Sequence, residues 1–237
     1  MRINGIIWGN PEISDYDLIL DYFSGTKIHS IKTSSVPLAQ YWKQTEKRIT
    51  SVSRILNENL HDVDIYFEYP TRSLGRSKSS MSDIMIFAKN IKIAIEGKYT
   101  EYKKTNYQEI NNWLKENKEY RLKVLDHWKE MIIPFVNSSL DINEIGRLPY
   151  QFFHRTASAC FDNTGKAYVL YQLFWDDDTK SDLDKFKSLI NKAADSLCVK
   201  DNLRIILQNI KIKNINKCNI KDVFQIMKSS NIYEFQD

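Results

Sequence analysis

Cysteine is scarce and unhelpfully placed. Cys160, Cys198 and Cys218 are odd in number and widely spaced, which fits neither a disulfide framework nor a zinc site, and no Cys–His spacing suggests a nucleophile. Each reads as a small core residue. No apolar run reaches the roughly 18 residues of a membrane span, so no membrane partner is expected. The start, MRINGIIWGN, lacks the long apolar core of a secretion signal, which makes the cytoplasm the expected compartment. No linker, internal repeat or long low-complexity segment divides the 237 residues. A single domain is expected, with residues 1–36 as an N-terminal addition to its core. The net charge of +4 is mild and only permits a nucleic-acid partner.

The chain has enough to build a core. Its residues are 42% hydrophobic and 27% charged, as in an ordinary soluble protein, and 12% aromatics argue against disorder. Residues 83 to 98, DIMIFAKNIKIAIEGK, read as one β-hairpin. With Lys89-Asn90 as its turn, residue 88 pairs with 91. The register then sets Ile84 opposite Ile95, Ile86 opposite Ile93 and Ala88 opposite Ile91, an apolar face that a one-residue slip would spoil. The same register sets Asp83 opposite Glu96. Facing carboxylates repel, so a cation is expected between them. Lys98, two residues past Glu96, shares its face by strand alternation. Hard oxygen ligands suit Mg²⁺ or Mn²⁺, and the Gly97 carbonyl is a further candidate ligand.

Asp83, a gap of twelve residues and then Glu96-Gly97-Lys98 resemble the motif of the PD-(D/E)XK nuclease superfamily, which includes many restriction endonucleases and some repair and recombination nucleases. Lys98-Tyr99-Thr100-Glu101 continues the likeness toward prokaryotic restriction-endonuclease-like proteins. Ser82 stands where the motif has proline. The resemblance covers residues 60 to 101. It implies that Asp83 and Glu96 hold the divalent metal, Mg²⁺ with Mn²⁺ as an alternative, and that Lys98 orients or activates the attacking water. Many such nucleases work as dimers, which makes a homodimer an expectation of the resemblance alone.

Other residues are read around this motif. Residues 37 to 60 show a helical stripe of Leu38, Trp42, Ile49, Val52 and Leu56, expected as one long helix. Glu46 falls near that stripe. In the resembled nucleases a Glu on the helix before the sheet often extends the metal site; a boundary residue paired with Lys43 or Lys47 is the plain alternative. Residues 63 to 69 alternate as a strand, with Val63, Ile65, Phe67 and Tyr69 on one face and Asp64, Tyr66 and Glu68 on the other. Glu68 therefore competes with Glu46 as accessory ligand. The loop from Pro70 to Ser82 carries Arg72, Arg76 and Lys78 and no acid; it reads either as a phosphate-contacting loop or as a solvated one.

Residues 149 to 161 read as an apolar helix on which Gln151 and Arg155 share a face. Gln151 resembles the trailing polar residue that positions lysine, water or phosphate in several nuclease branches, and Arg155 is a candidate DNA contact. His154 is expected to be hydrogen-bonded or exposed. Residues 105 to 133 read as one or two helices with a break near Asn117, 166 to 175 as a central strand, about 181 to 197 as a helix, 203 to 212 as a last strand and 221 to 228 as a short helix. Asp176, Asp177 and Asp178 lack calcium-loop spacing and are expected to serve the N-terminal end of the helix after them. A short strand at Ile3 to Trp8 and a helix from about Asp15 to Phe23 open the chain.

These elements give an α/β domain with a mixed central sheet flanked by helices, the restriction-endonuclease-like architecture that the resemblance implies. The expected function is Mg²⁺-dependent endonucleolytic hydrolysis of DNA. Two alternatives stay open: an inactive nuclease-fold module binding DNA within a defence or repair complex, and an enzyme on another phosphate-containing substrate.

Overall fold

The computed structural model describes residues 5–6, 16–17, 19–21, 32–71, 80–103, 107–215 and 223–236. Its centre is one mixed sheet whose strands lie side by side in chain order: β1 (Gly5–Ile6), β2 (Asp64–Thr71), β3 (Ser80–Ala88), β4 (Ile91–Lys98), β5 (Lys166–Trp175), β6 (Leu203–Asn214) and β7 (Tyr233–Gln236). β3 runs antiparallel to both of its neighbours, β2 and β4, while β4, β5 and β6 are parallel and β7 returns antiparallel to β6. β5 is central and buried along nearly its whole length, which is what a continuous apolar strand requires. Arg72, Arg76 and Lys78 lie outside the described residues, as does Cys218.

The hairpin register holds along its apolar part. Lys89 and Asn90 form the turn, and Ala88 pairs with Ile91, Ile86 with Ile93 and Ile84 with Ile95. Ile84, Ile86, Ile93 and Ile95 are fully buried in one core with Leu38, Trp42, Ile49, Val52 and Leu56. Met85 and Ala94 belong to a second core on the other face, with Trp128, Phe152, Ala157, Leu183 and Phe186. Gly165 lets the start of β5 close on the hairpin turn. A Cβ there would lie 2.1 Å from the Asn90 carbonyl oxygen, which accepts the Lys166 N–H at 2.8 Å.

On the first face lie α1 (Ser35–Trp42) and α2 (Thr45–Leu56), where a single helix was expected. The break at Lys43-Gln44 follows from what anchors each side. The Trp42 indole N–H donates to Gln172 Oε1 on β5 at 2.8 Å, the Thr45 hydroxyl donates back to the Trp42 carbonyl at 2.7 Å, and Gln44 leaves the helical region with φ −97° and ψ 60°. The second face carries α3 (Ile110–Leu114), α4 (Lys118–Ile132), α5 (Ile142–Ile145), α6 (Tyr150–Cys160) and α7 (Lys180–Leu197). α8 (Val223–Ser229) precedes β7, a strand the sequence reading missed. Among the described residues no helix is long and apolar enough to cross a membrane.

One irregularity in β2 shapes the site. The β2–β3 ladder runs from Asp64↔Phe87 to Phe67↔Ile84 and resumes at Tyr69↔Ser82, skipping Glu68 and Asp83. Glu68 has φ 52°, in the left-handed region that non-glycine residues seldom occupy. Strand alternation is reversed there. Tyr69 was expected with Ile65 and Phe67, but its ring packs 5.5 Å from Tyr66 and 5.2 Å from Phe87, on the opposite face.

Candidate active site

The hairpin ladder stops one pair short of the acids. Ile84↔Ile95 is its last pair, and Asp83 and Glu96, expected to face each other across it, do not join it. The strands part and the Asp83 carboxylate closes the gap, its Oδ2 accepting the Gly97 N–H at 2.8 Å. On the α1 side of Gly97 the Leu38 side chain would lie 3.1 Å from an added Cβ, so the backbone of β4 runs close under α1 at this point.

Glu96 and Lys98 point to the α6 side, as alternation from Ala94 requires. Lys98 Nζ donates to Glu96 Oε1 at 2.8 Å, and the Arg155 Nη2 lies 2.5 Å from Glu96 Oε2. Arg155 donates further to the Met81 carbonyl and, at 3.1 Å, to Ser82 Oγ. The residue standing at the motif's proline position thus provides a hydroxyl acceptor for this arginine. Arg155 is only 5% exposed, so the guanidinium anchors the acid cluster from within and does not present itself to DNA, contrary to the sequence expectation. Gln151, one turn earlier on α6, accepts from Lys98 Nζ through Oε1 at 3.5 Å. The shared face inferred for Gln151 and Arg155 is the face turned to Glu96 and Lys98.

The electrostatics follow from this crowding. Desolvation, then Glu96, pushes the Asp83 carboxyl up to about 7, with Glu68 adding to the shift and Arg155 and Lys98 opposing it. Glu96 moves the other way. Burial raises it, but Arg155 and Lys98 outweigh burial and hold it below the ordinary carboxylate value. Burial would lower Lys98, yet Glu96 and Asp83 keep it above the usual lysine value. Lys98 is therefore a charged donor at neutral pH and not a proton acceptor.

Glu68 and Asp83 line one small pocket of about 10 Å³ with Ser35, Leu38, Ala39 and Phe67, near the lower limit for a single water. Lys98 and Gln151 instead line a cleft of about 300 Å³ with Glu101, Tyr107, Gln108, Pro149 and Tyr150. Glu46 is not brought to either. It sits exposed in the first turn of α2, because the break after Trp42 resets the helical phase that had aligned it with the buried stripe. Of the two accessory acids read from the sequence, the structure brings Glu68 to Asp83.

Three further expectations are corrected in whole or in part. His154 is neither exposed nor hydrogen-bonded: both ring nitrogens are buried without a partner among the described residues, and the ring stacks 5.1 Å from Trp128. Burial, with Arg155 and Lys98 nearby, pushes its pKa well below the usual histidine value, so it stays neutral. Of the acids after β5, Asp176 serves the N-terminal end of α7, where Thr179 is the N-cap, whereas Asp177 turns away from it. Asp176 accepts from the Tyr99 hydroxyl at 2.5 Å and the Thr179 hydroxyl at 2.9 Å, and Asp177 pairs with Lys211 at 3.2 Å. Cys160 is buried as expected, but Cys198 is exposed, capping α7 in a left-handed conformation with φ 49°.

Asp83 and Glu96 offer hard oxygens, and an acid raised toward neutrality by its surroundings is one whose ionised form a nearby cation would stabilise. Mg²⁺ usually keeps several waters and takes one or two carboxylates, so the donor types suit it, but both Glu96 oxygens are engaged by Lys98 and Arg155, and among the described residues no group of three or more His, Cys, Asp or Glu forms a metal-binding cluster. Tyr107, Gln108 and Tyr150 of the cleft were missed by sequence reading: residues 107 to 109 are irregular although a helix was expected from 105, and nothing local at the start of α6 shows that Tyr150 faces them. No curated protein and no solved structure matches this chain. A family model does match, over residues 14–214, a span containing every site residue described above, and the chain belongs to that family, described as Domain of unknown function (DUF6946).

Proposed function

We propose that this chain is a Mg²⁺-dependent nuclease hydrolysing phosphodiester bonds in DNA, similar to restriction-endonuclease-like enzymes. The observation that carries the reading is that Asp83 bonds the Gly97 N–H between Glu96 and Lys98 where β3 and β4 part, that Glu96 and Lys98 pair with each other, and that Lys98 opens onto a cleft beside Gln151. Asp83 and Glu96 would hold the metal, with Glu68 as the adjacent acid. A bound divalent cation supplies a water of lowered pKa and neutralises charge at the phosphate.

The chain's own residues do the positioning. Lys98, held as an ammonium by Glu96, directs the attacking water and meets the charge that grows on the phosphate oxygens. Gln151 steadies Lys98, and Arg155 fixes Glu96 against β3 through Met81 and Ser82. The water oxygen forms a bond to phosphorus as the water gives up a proton to solvent, the bond to the leaving sugar oxygen breaks, and that oxygen takes up a proton from solvent. The chain would act in the cytoplasm, as a monomer or homodimer.

A second reading has a specific observation behind it. Both Glu96 oxygens are engaged by Lys98 and Arg155, and Asp83 lines a different pocket from Lys98. A nuclease-fold module that binds DNA without cutting it would be built this way. Plasmid and linear DNA incubated with Mg²⁺, with chelator and with Lys98→Ala protein separate the two. Cleavage by the wild type in Mg²⁺ alone is expected. Cleavage that survives chelator or the substitution overturns the mechanism, and inert wild type on both DNA and RNA favours the binding module.

A further inference from the structure

The cleft beside Lys98 is poorly suited to a duplex backbone. Among the described residues that line it Lys98 is the one cation, and it is already paired with Glu96. Glu101, the one acid there, is occupied as well: its Oε1 accepts from the Ser34 N–H at 3.1 Å and the Ser34 hydroxyl at 2.7 Å, and its Oε2 from the Tyr99 N–H at 2.9 Å. What remains is Tyr107, Tyr150, Pro149 and one end of each carboxamide, since Gln108 Nε2 donates to Glu116 Oε1 at 3.1 Å and Gln151 Oε1 accepts from Lys98, which leaves Gln108 Oε1 and Gln151 Nε2 for a ligand. A run of phosphates calls for lysine and arginine along the groove. Aromatic rings and carboxamides suit the face and the edge of a base.

Both rings are braced before any ligand arrives. Tyr150 lies parallel to Trp113, with centroids 5.6 Å apart and planes 3° apart. Tyr107 packs against Phe186 at 5.4 Å and donates its hydroxyl to the Glu101 carbonyl at 3.1 Å. Rings fixed in advance lose little entropy when a base stacks on them. A volume of about 300 Å³ is at the small end of ligand pockets, room for one nucleoside.

We propose that this cleft is a subsite for one unpaired base next to the reacting phosphate, so that the substrate is single-stranded or locally opened DNA. The inference rests on the nuclease reading for its reacting phosphate, but base capture itself can be measured without turnover.

The test uses the full chain in chelator, with a single-stranded oligonucleotide carrying 2-aminopurine and with the same strand in a duplex. Binding is followed by anisotropy and stacking by loss of 2-aminopurine fluorescence. The single strand should bind at least tenfold tighter than the duplex and show quenching. Tyr107→Leu and Tyr150→Leu should each weaken single-strand binding about tenfold and restore fluorescence, as loss of one base–aromatic stack does. Gln108→Ala, at the cleft wall and outside the proposed catalytic group, serves if a tyrosine variant fails to fold, and should weaken binding without restoring fluorescence. Equal binding of the two forms, no binding of either, or quenching that persists in the folded tyrosine variants overturns the proposal. A protein that cuts duplex DNA in Mg²⁺ yet shows no quenching loses this subsite and keeps the nuclease reading. Quenching without cleavage does the reverse.

Discussion

The Arg155 guanidinium lies 2.5 Å from Glu96 Oε2, joining residues 59 positions apart in the chain, both nearly out of reach of water. A buried charge pair of this kind is expensive to break from one side, because the remaining charge is left unpaired.

Arg155→Met should therefore destabilise the protein by about 3–5 kcal/mol in urea unfolding. Arg155→Lys should recover only part of the loss. A single ammonium cannot reach Met81, Ser82 and Glu96 from one planar fork. Equal stability of the lysine variant and the wild type would contradict this account.

Asp83 gives a pH dependence of definite sign. Its folded value of about 7 lies above the ordinary 3.8, so as pH rises from 4 to 7 the unfolded chain releases this proton while the folded chain keeps it. Stability from this group is lost across that window and is flat above it. Glu96 acts oppositely, and its contribution is present above about 4.5 and lost as pH falls below. Asp83→Asn, which still offers an oxygen to Gly97, should gain stability relative to the wild type from pH 4 to pH 7. Scanning both proteins thermally across this range checks it, and a constant difference would count against the buried acid.

Mg²⁺ should raise the melting temperature of the wild type more at pH 8 than at pH 6, because the ligand must be ionised to bind. Asp83→Asn should show little or no shift at either pH. A shift of the same size in both proteins would mean that the ion binds elsewhere.

Glu68 tests the backbone. Its left-handed φ of 52° suits glycine, so Glu68→Gly should be more stable than Glu68→Ala by about 1 kcal/mol. Both variants lack the carboxylate, so the difference in their unfolding midpoints isolates conformation from charge. An alanine variant at least as stable as the glycine variant would refute the strain.

Gly165→Ala would place a methyl carbon 2.1 Å from the Asn90 carbonyl oxygen. Backbone has to move, at a cost of about 1–3 kcal/mol. The hairpin turn is at the opposite end of β4 from Lys98, so DNA cleavage by the folded fraction should be unchanged.

What was legible in the chain and what was not divides along these residues. The isoleucine pairs of the hairpin, Lys98 beside Glu96 and the shared face of Gln151 and Arg155 all follow from period-two or period-3.6 spacing. Those periods are local and need no tertiary knowledge. Glu46 failed because its phase assumed an unbroken helix, and the break depends on Trp42 reaching Gln172, 130 residues away. Tyr69 failed because alternation assumes β dihedrals, which Glu68 leaves.

The amino-acid order by itself determined most of the elements, the apolar part of the hairpin register and the gathering of Glu96 and Lys98 on one strand face, since each is fixed by the geometry of a single element or a tight turn. Tertiary structure decided which acid joins Asp83, that Arg155 turns inward to Glu96, and that Lys98 opens onto a cleft walled by Tyr107 and Tyr150. Those outcomes depend on helices docking over strands distant in sequence, where desolvation and charge pairing set each side chain's partner and no periodic pattern records the choice.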